Sequence, residues 1–220
     1  MAGDARVRTP SRWNGLSTEQ RQRERRQLLV EAAYDLLATE GSSGTTVRAV
    51  CATARLNPRY FYESFADLDE LLVAVYDDVF RQLQRRAAAA VAQAEDDDAA
   101  MRASVEATVR FVDEDRRRGR ILYAEALGNE ALNRRRVQAG AGLVELVQQD
   151  HSRRDGEAHD PRIGILGAAV LVGGFSELLV AWLDGRVELD ADELIADATR
   201  VFLAVRDATR ELYREQRSAS

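Results

Sequence analysis

The chain has 220 residues, 45% hydrophobic and 31% charged, with a formal net charge of −6. That suits a globular protein with one large or two small domains. A single cysteine excludes an intramolecular disulfide and a CxxC metal site.

The net acidity alone argues against a nucleic-acid partner, but the charge is unevenly spread. Residues 1–65 hold 10 Arg against 7 acids, a local +3, and the remainder holds 21 Arg against 30 acids, a local −9. Such asymmetry points to two jobs in one chain. Lys is absent, so every basic residue is Arg. The start, "MAGDARVRTP", lacks the apolar run of a secretory signal, and one thiol fits a reducing compartment, so the expected location is the cytoplasm. Three prolines and few β-branched runs favour an all-α fold.

Residues 1–20 read as a flexible, Arg-rich arm. The first 26 residues carry 7 Arg against 3 acids. Such an arm can follow a phosphate backbone or enter a minor groove, or it is a solvated leader. Ser17 and Gln20 have the spacing of a capping box. A helical pattern continues to Gly41, burying Leu29, Ala33, Leu36 and Leu37. Thr46 can cap a second helix, Val47 to Ala54. Asn57 and Pro58 then supply an N-cap and a favoured first helical residue, predicting a third helix from Pro58 to about Phe65. Two short helices joined by Arg55-Leu56-Asn57 make a helix-turn-helix, whose second helix would enter a major groove.

The segment "TTVRAVCATARLNPRYFYESFADLDELL" resembles the DNA-binding segment of TetR-family transcriptional regulators, through Thr45, Thr46, Val47, Arg48, Val50, Ala54, Leu56, Asn57, Phe61, Tyr62, Phe65, Glu70 and Leu71. "LLVEAAYDLLATEG" is similar to the family's first helix. The resemblance covers about the first third of the chain. It implies a helix-turn-helix domain over residues 21–66, an effector-binding and dimerisation domain over 67–220, a double-stranded DNA operator, a small-molecule effector and a repressor's role. Arg55 and Arg59 stand where the family usually has Gly, and Leu68 where it has a phosphate-binding Lys.

The residues themselves give the helix-turn-helix a division of labour. Phe61 and Phe65, four apart, share an inner face with Leu36, Val50 and Leu56. Thr46, Arg48, Asn57, Pro58, Arg59, Tyr60, Tyr62, Glu63 and Ser64 are left as DNA-facing candidates. Arg59 can pair bidentately with guanine, Glu63 can accept from a cytosine amine, and the Tyr62 hydroxyl can reach a phosphate. Alternatively, the two tyrosines fill core and Glu63 pairs with Arg59. Cys51 reads as core.

Beyond residue 66, Leu68, Leu71, Leu72, Val75, Val79 and Leu83 stripe a connecting helix. "AEDDDAA" reads as a turn whose acids suit a helix N-terminus. Met101, Val105, Thr108 and Val112 stripe the next helix. "HSRRDGEAHDP" reads as a polar loop, whose His151 and His159 lack a metal-site spacing, so neither metal nor cofactor is expected. "IGILGAAVLVGGFSELLVAWL" is long enough to span a bilayer, yet Glu177 within it would be costly in lipid. It reads instead as a helix covered on one side by its own domain and on the other by a second subunit. Asp190 and Glu193 resemble a capping box for the last helix. The expected homodimer contacts are Gly167, Leu171, Gly174, Leu178, Leu194, Ala198, Val201 and Val205.

An effector pocket is expected among Met101, Val105, Thr108, Val112, Leu122, Leu143, Val147, Phe175 and Trp182, with Tyr123, Glu125 and Glu177 as polar anchors. Acids there would favour a hydrophobic cation. The alternative is a filled core, with the acids paired to arginines such as Arg120 or Arg136. No nucleophile elbow, Gly-rich phosphate loop or metal cluster supports an enzyme. A helical enzyme and a protein-binding adaptor remain the other classes that fit this composition.

Overall fold

Short side chains at the helix starts set the frame of the molecule. The computed structural model describes residues 17–155 and 161–218. Residues 1–16 of the arm lie outside them. At Ser17 both halves of the capping box form: its hydroxyl accepts from Gln20 N–H at 3.1 Å, and the Gln20 side chain accepts from Ser17 N–H at 2.8 Å. Helix α1 therefore starts at Thr18, inside the segment assigned to the arm, and spans Thr18–Gly44. Gly41 interrupts it at φ 71°, ψ −178°, a conformation that glycine adopts without penalty. The Thr45 hydroxyl donates to Gly41 O across this break at 2.8 Å.

Thr46 caps α2 (Val47–Ala54) and Asn57 caps α3 (Pro58–Tyr62), with Pro58 in the first turn. The third helix is shorter than the sequence suggests, although Phe65 N–H still reaches Phe61 O at 2.8 Å. Between the helices, Arg55 is left-handed at φ 54°, ψ 40°. It is the one non-glycine residue with positive φ among those described. Arg55 N–H reaches Ala52 O and Leu56 N–H reaches Cys51 O, a Schellman closure with Leu56 packed on the core. These bonds hold a conformation that costs an L-residue about 1–2 kcal/mol.

The larger, C-terminal part is helical too: α4 (Leu68–Val91), α5 (Asp97–Glu114), α6 (Arg116–Gly119), a π-helical turn (Arg120–Ala124), α7 (Glu125–Gly128), α8 (Glu130–Asp155), α9 (Pro161–Leu183) and α10 (Ala191–Ser218). Asp67, Asp96 and Asp190 cap α4, α5 and α10. The segment expected as a polar loop is partly helix, since α8 continues through His151 to Asp155; His159 lies outside the described residues. Among the described residues no group of three His, Cys, Asp or Glu is gathered for a metal.

Two apolar clusters hold this together. The first joins the helix-turn-helix to α4, α5, the π turn, α7 and α8 through Leu29, Leu37, Phe61, Phe65, Leu72, Ile121 and Leu132. Each large side chain fully buried contributes about 1.5–3 kcal/mol. The second, around Val109, Val112, Leu179, Trp182, Leu194 and Phe202, packs α5, α9 and α10. Arg–carboxylate contacts stitch the elements at their edges: Arg86 grips Glu114 with both terminal nitrogens at 2.5 and 2.6 Å, Arg135 meets Asp77 at 2.5 Å, and the buried Arg206 meets Asp98 at 2.6 Å.

Polar contacts cross from α1 to the C-terminal helices, among them Arg117 to Asp35 at 3.1 Å. The Tyr34 hydroxyl donates to Asp115 at 2.9 Å, and Ser42 N–H donates to Glu125 at 2.9 Å. Burial and the Asp115 carboxylate push the Tyr34 phenol up to about 12. Hydrogen bonds from Arg117, then from Tyr34, hold the Asp115 carboxyl below the ordinary carboxylate value despite partial burial.

The strained turn and the Asp115 carboxyl each have a measurable effect on stability. Arg55→Gly relieves the left-handed strain and is expected to stabilise the fold by about 1 kcal/mol, read as a raised urea midpoint at unchanged slope. Asp115 has a depressed folded-state pKa, so its contribution is present above the unfolded value of about 4 and is lost as pH falls through the lower folded value. Asp115→Asn is therefore expected to lower Tm at pH 7, with the gap from wild type closing below pH 4.

Candidate nucleic-acid interface and effector cavity

The helix-turn-helix presents an arginine-lined surface, and its internal contacts decide which groups are available. Phe61 and Phe65 are buried beneath it. Arg48, Asn57, Pro58, Arg59, Tyr62 and Glu63 are exposed, as is the capping Thr46, whose hydroxyl already accepts from Ala49 N–H at 3.1 Å. The Asn57 side chain is likewise spent on Arg59 N–H at 2.9 Å. Tyr62 is 64% exposed, with its ring edge-to-face on Phe61. Tyr60 and Ser64 are half-buried.

Glu63 does not project freely. Its carboxylate accepts from Arg59 Nε at 2.8 Å and from Arg25 Nη1 at 3.2 Å. Gln22 also donates to its carbonyl oxygen at 3.3 Å. The Arg25 guanidinium lies over the Tyr60 ring at 4.2 Å. So an acid that would face a polyanion is neutralised by two arginines, and it fixes the start of α1 to the end of α3. Sequence reading found the Arg59–Glu63 pair, because i,i+4 spacing announces it. It missed Arg25, whose contact spans 38 residues of chain.

The second site is a cavity of about 220 Å³ between α4, α5, the π turn, α8, α9 and α10. Met101, Val105, Thr108, Leu122, Tyr123, Leu143 and Phe175 line it as the sequence places them. Four other expected wall or anchor residues do not. Val112 and Trp182 are buried in the second apolar cluster; the Trp182 indole N–H must find an acceptor there and donates to Leu189 O at 2.8 Å. Glu125 turns toward α1, binding Ser42 N–H and pairing with Arg120 at 3.3 Å. Glu177 is exposed on the outer side of α9. The side chain of Val147 lies outside the described residues. Tyr76 and Phe80 of α4, Arg136 of α8 and Phe202 of α10 also line the cavity. Tyr76 and Phe80 stack at 6.0 Å, one helical turn apart, a spacing visible in the sequence but overlooked there.

The outer face of α9 and α10 has a different register from the one expected. Leu194 and Ala198 are buried in the chain's own core, Leu171 lines the cavity, and Leu178 is half-buried on the second cluster. Gly167 faces Thr209 of α10, whose hydroxyl would sit 2.9 Å from an added Cβ. Val205 is half-buried. Of the expected contacts, Gly174 and Val201 are exposed; a Cβ on Gly174 would meet nothing within 4 Å. Around them lie exposed Ile165, Leu166, Val170 and Leu212. A helix apolar on all sides carries no phase, so the sequence could not show which stripe faced inward.

Residues 29–75 match the family model described as bacterial regulatory proteins, tetR family. Among solved structures, the fatty acid degradation regulator FadR of Bacillus halodurans is similar in fold, with a TM-score of 0.68, 15% identity, and 81% of this chain and 94% of that one covered. A TetR family transcription regulator from Marinobacter aquaeolei VT8 gives 0.64 at 22% identity over 86% and 98%. The multidrug binding protein EbrR, complexed with imidazole, gives 0.61 at 23% over 80% and 93%. Residues 29–75 thus carry the helix-turn-helix segment of the tetR family model, and the chain shares the all-helical fold of these structures, with a larger C-terminal helical domain behind that segment.

Proposed function

We propose that this chain is a cytoplasmic, ligand-responsive repressor that binds an inverted-repeat operator as a homodimer and performs no catalysis. The observation that carries the reading is the sharing of one element between the cavity and the DNA-binding helices. The π turn puts Leu122 and Tyr123 in the cavity wall, and the next residues bring Glu125 to Ser42 at the end of α1. A ligand that displaces the wall pulls on α1, and α1 holds α3 through Arg25 and Glu63. Release requires that the ligand prefer the arrangement in which the reading helices misfit DNA, since equal affinity for both shifts nothing.

On DNA, Arg59 and Tyr62 carry the reading face, with Arg48 on the backbone. Glu63 keeps Arg59 extended until guanine replaces it as partner. Tyr60 acts beneath, as the platform for Arg25. The dimer forms through the outer faces of α9 and α10. This also explains a helix, Arg162–Leu183, whose most apolar window has a mean hydropathy of 2.1 yet is only 22% buried in its own chain. A C2 dimer reads a two-fold symmetric site.

Selection of bound DNA from a random pool is expected to return inverted repeats; asymmetric or unrelated sequences would refute the reading. On the selected site, Arg59→Ala is expected to cost about 1–3 kcal/mol and to relax preference at one base pair per half-site. Tyr62→Phe should weaken all sequences alike if its hydroxyl holds a phosphate, and unchanged affinities in both variants would remove these roles. A Cβ added at Gly174 meets nothing within 4 Å in its own subunit, so Gly174→Leu is expected to give a folded monomer that sediments at half the wild-type mass. A wild-type protein sedimenting as a monomer at micromolar concentration would contradict the dimer.

A further inference from the structure

Core packing does not explain Arg136. It lies on α8 in the lining of the cavity. Its Nε is buried and has no hydrogen-bond partner among the described residues. Its Nη2 reaches only the Asn133 amide oxygen, at 3.3 Å. The carboxylates around the cavity are committed or turned away. Asp77 is held by Arg135, Glu125 by Arg120 and Ser42, and Glu177 is exposed on α9. A guanidinium has five donors and stays charged at any working pH. Placed in an apolar wall without an anion, it is under-satisfied. The competing explanation is that the head simply reaches water along an apolar stem. That would serve the terminal nitrogens of this half-buried side chain, but it leaves Nε inside and unpaired.

Gln84 and Ser104 of the lining are neutral, and four further polar groups point the same way. Thr108 and Ser176 spend their hydroxyls on carbonyl oxygens one turn back, at 2.9 Å each. Tyr76 and Tyr123 keep their protons: burial pushes the Tyr76 phenol up to about 12 and raises Tyr123 further. Both are therefore donors at neutral pH, as is Arg136. The ionisable lining thus consists of one cation and two neutral phenols, with no carboxylate among the described residues.

On the footing of the proposed effector cavity, we propose that it takes a small amphiphile with a carboxylate head, which pairs with Arg136 through Nε and a neighbouring terminal nitrogen while its apolar body lies against Phe80, Met101, Val105, Leu122 and Phe175. This reverses the cation expected from the sequence, because the two acids behind that expectation do not reach the cavity. A fork of parallel N–H donors matches a carboxylate's two oxygens. At about 220 Å³ the cavity falls below the range of roughly 300–1,000 Å³ typical of drug-sized sites, so the body is slender or short.

The test compares octanoate, 1-octanol and octylammonium, equal in chain length, by titration calorimetry on the full-length protein at pH 7. Octanoate is expected to bind about tenfold or more tighter than 1-octanol, with octylammonium weakest. Arg136→Gln is expected to bring octanoate down to the level of 1-octanol and leave 1-octanol unchanged, and Arg136→Lys to keep part of the preference. Circular dichroism confirms that the variants fold; should Arg136→Gln not fold, the wild-type ranking and Tyr123→Phe, which should weaken octanoate selectively, decide the matter. If 1-octanol or octylammonium binds as tightly as octanoate, the cavity stands as an effector site and the carboxylate assignment falls. Octanoate preferred but indifferent to Arg136→Gln would overturn the role of Arg136. If none of the three binds, the effector cavity and the ligand class fall together.

Discussion

The contact between Glu125 and the backbone N–H of Ser42 is the constraint on which the arrangement of the two parts depends. It exists because Gly41 breaks α1. Glycine's freedom at positive φ turns the chain there, and the next amide, which an unbroken helix would have consumed, is left to donate outward. Glu125 is available to accept it because the π turn before it adds a residue per turn and rotates α7 relative to α6. π-helical turns are rare and frequently occur at functional sites. A side chain on Gly41 would face the Glu125 carboxylate at 3.1 Å, so the same residue supplies both the break and the room. Where Tyr34 meets Asp115, a second polar contact ties the middle of α1 to the start of α6. With the apolar cluster that holds Leu29 and Leu37, these contacts fix α1 along its length and at its end, so that it moves as a lever instead of a pivot.

Charge is handled locally. A chain with a net −6 presents exposed arginines on its helix-turn-helix, and the exposed Glu63 beside them is paired with Arg25 and Arg59. Elsewhere, long-range Arg–carboxylate pairs join α4 to α5, α4 to α8 and α5 to α10. Exposed pairs of this kind are worth little individually. Their effect here is on alignment, since a bidentate grip such as Arg86 on Glu114 fixes the rotation of one helix against another. Arg136, which lines the cavity, takes no part in the ion pairs among the described residues, and that leaves it for the proposed ligand.

How much was legible in the sequence depended on how local the signal was. Ser17 with Gln20, Thr46, Asn57 with Pro58, and Asp190 with Glu193 announced helix starts within four residues, and the structure has them there. The left-handed Arg55 was readable as a departure, because the turn geometry demands that conformation of whatever residue occupies it. Signals that span the fold were not readable. Nothing near Glu125 in the chain indicates that its partner is Ser42, 83 residues away, so it was assigned to the cavity by its neighbours Leu122 and Tyr123. The π turn has no sequence signature, and a single added residue there rotates Glu125 out of the wall. On α9 the difficulty was different. Apolar residues occupy nearly every position, so the inward stripe is chosen by what α5 and α10 offer it, not by its own pattern.

The register that α9 adopts has a consequence for regulation. Its inner side gives Leu171, Phe175 and Ser176 to the cavity, while Val170, Gly173, Gly174 and Glu177 stand exposed on the opposite side. In the proposed dimer a single helix therefore forms the wall of the effector cavity and the subunit contact. Packed interfaces have discrete arrangements and do not deform continuously, so a ligand that shifts α9 acts on its own reading head through the π turn and on its partner's position through the interface. The bare glycine surface at Gly173 and Gly174 permits helices to approach closely, and close approach makes the contact sensitive to small displacements of the helix. The distance between two reading heads, which a two-fold operator measures, then depends on the same helix that feels the ligand.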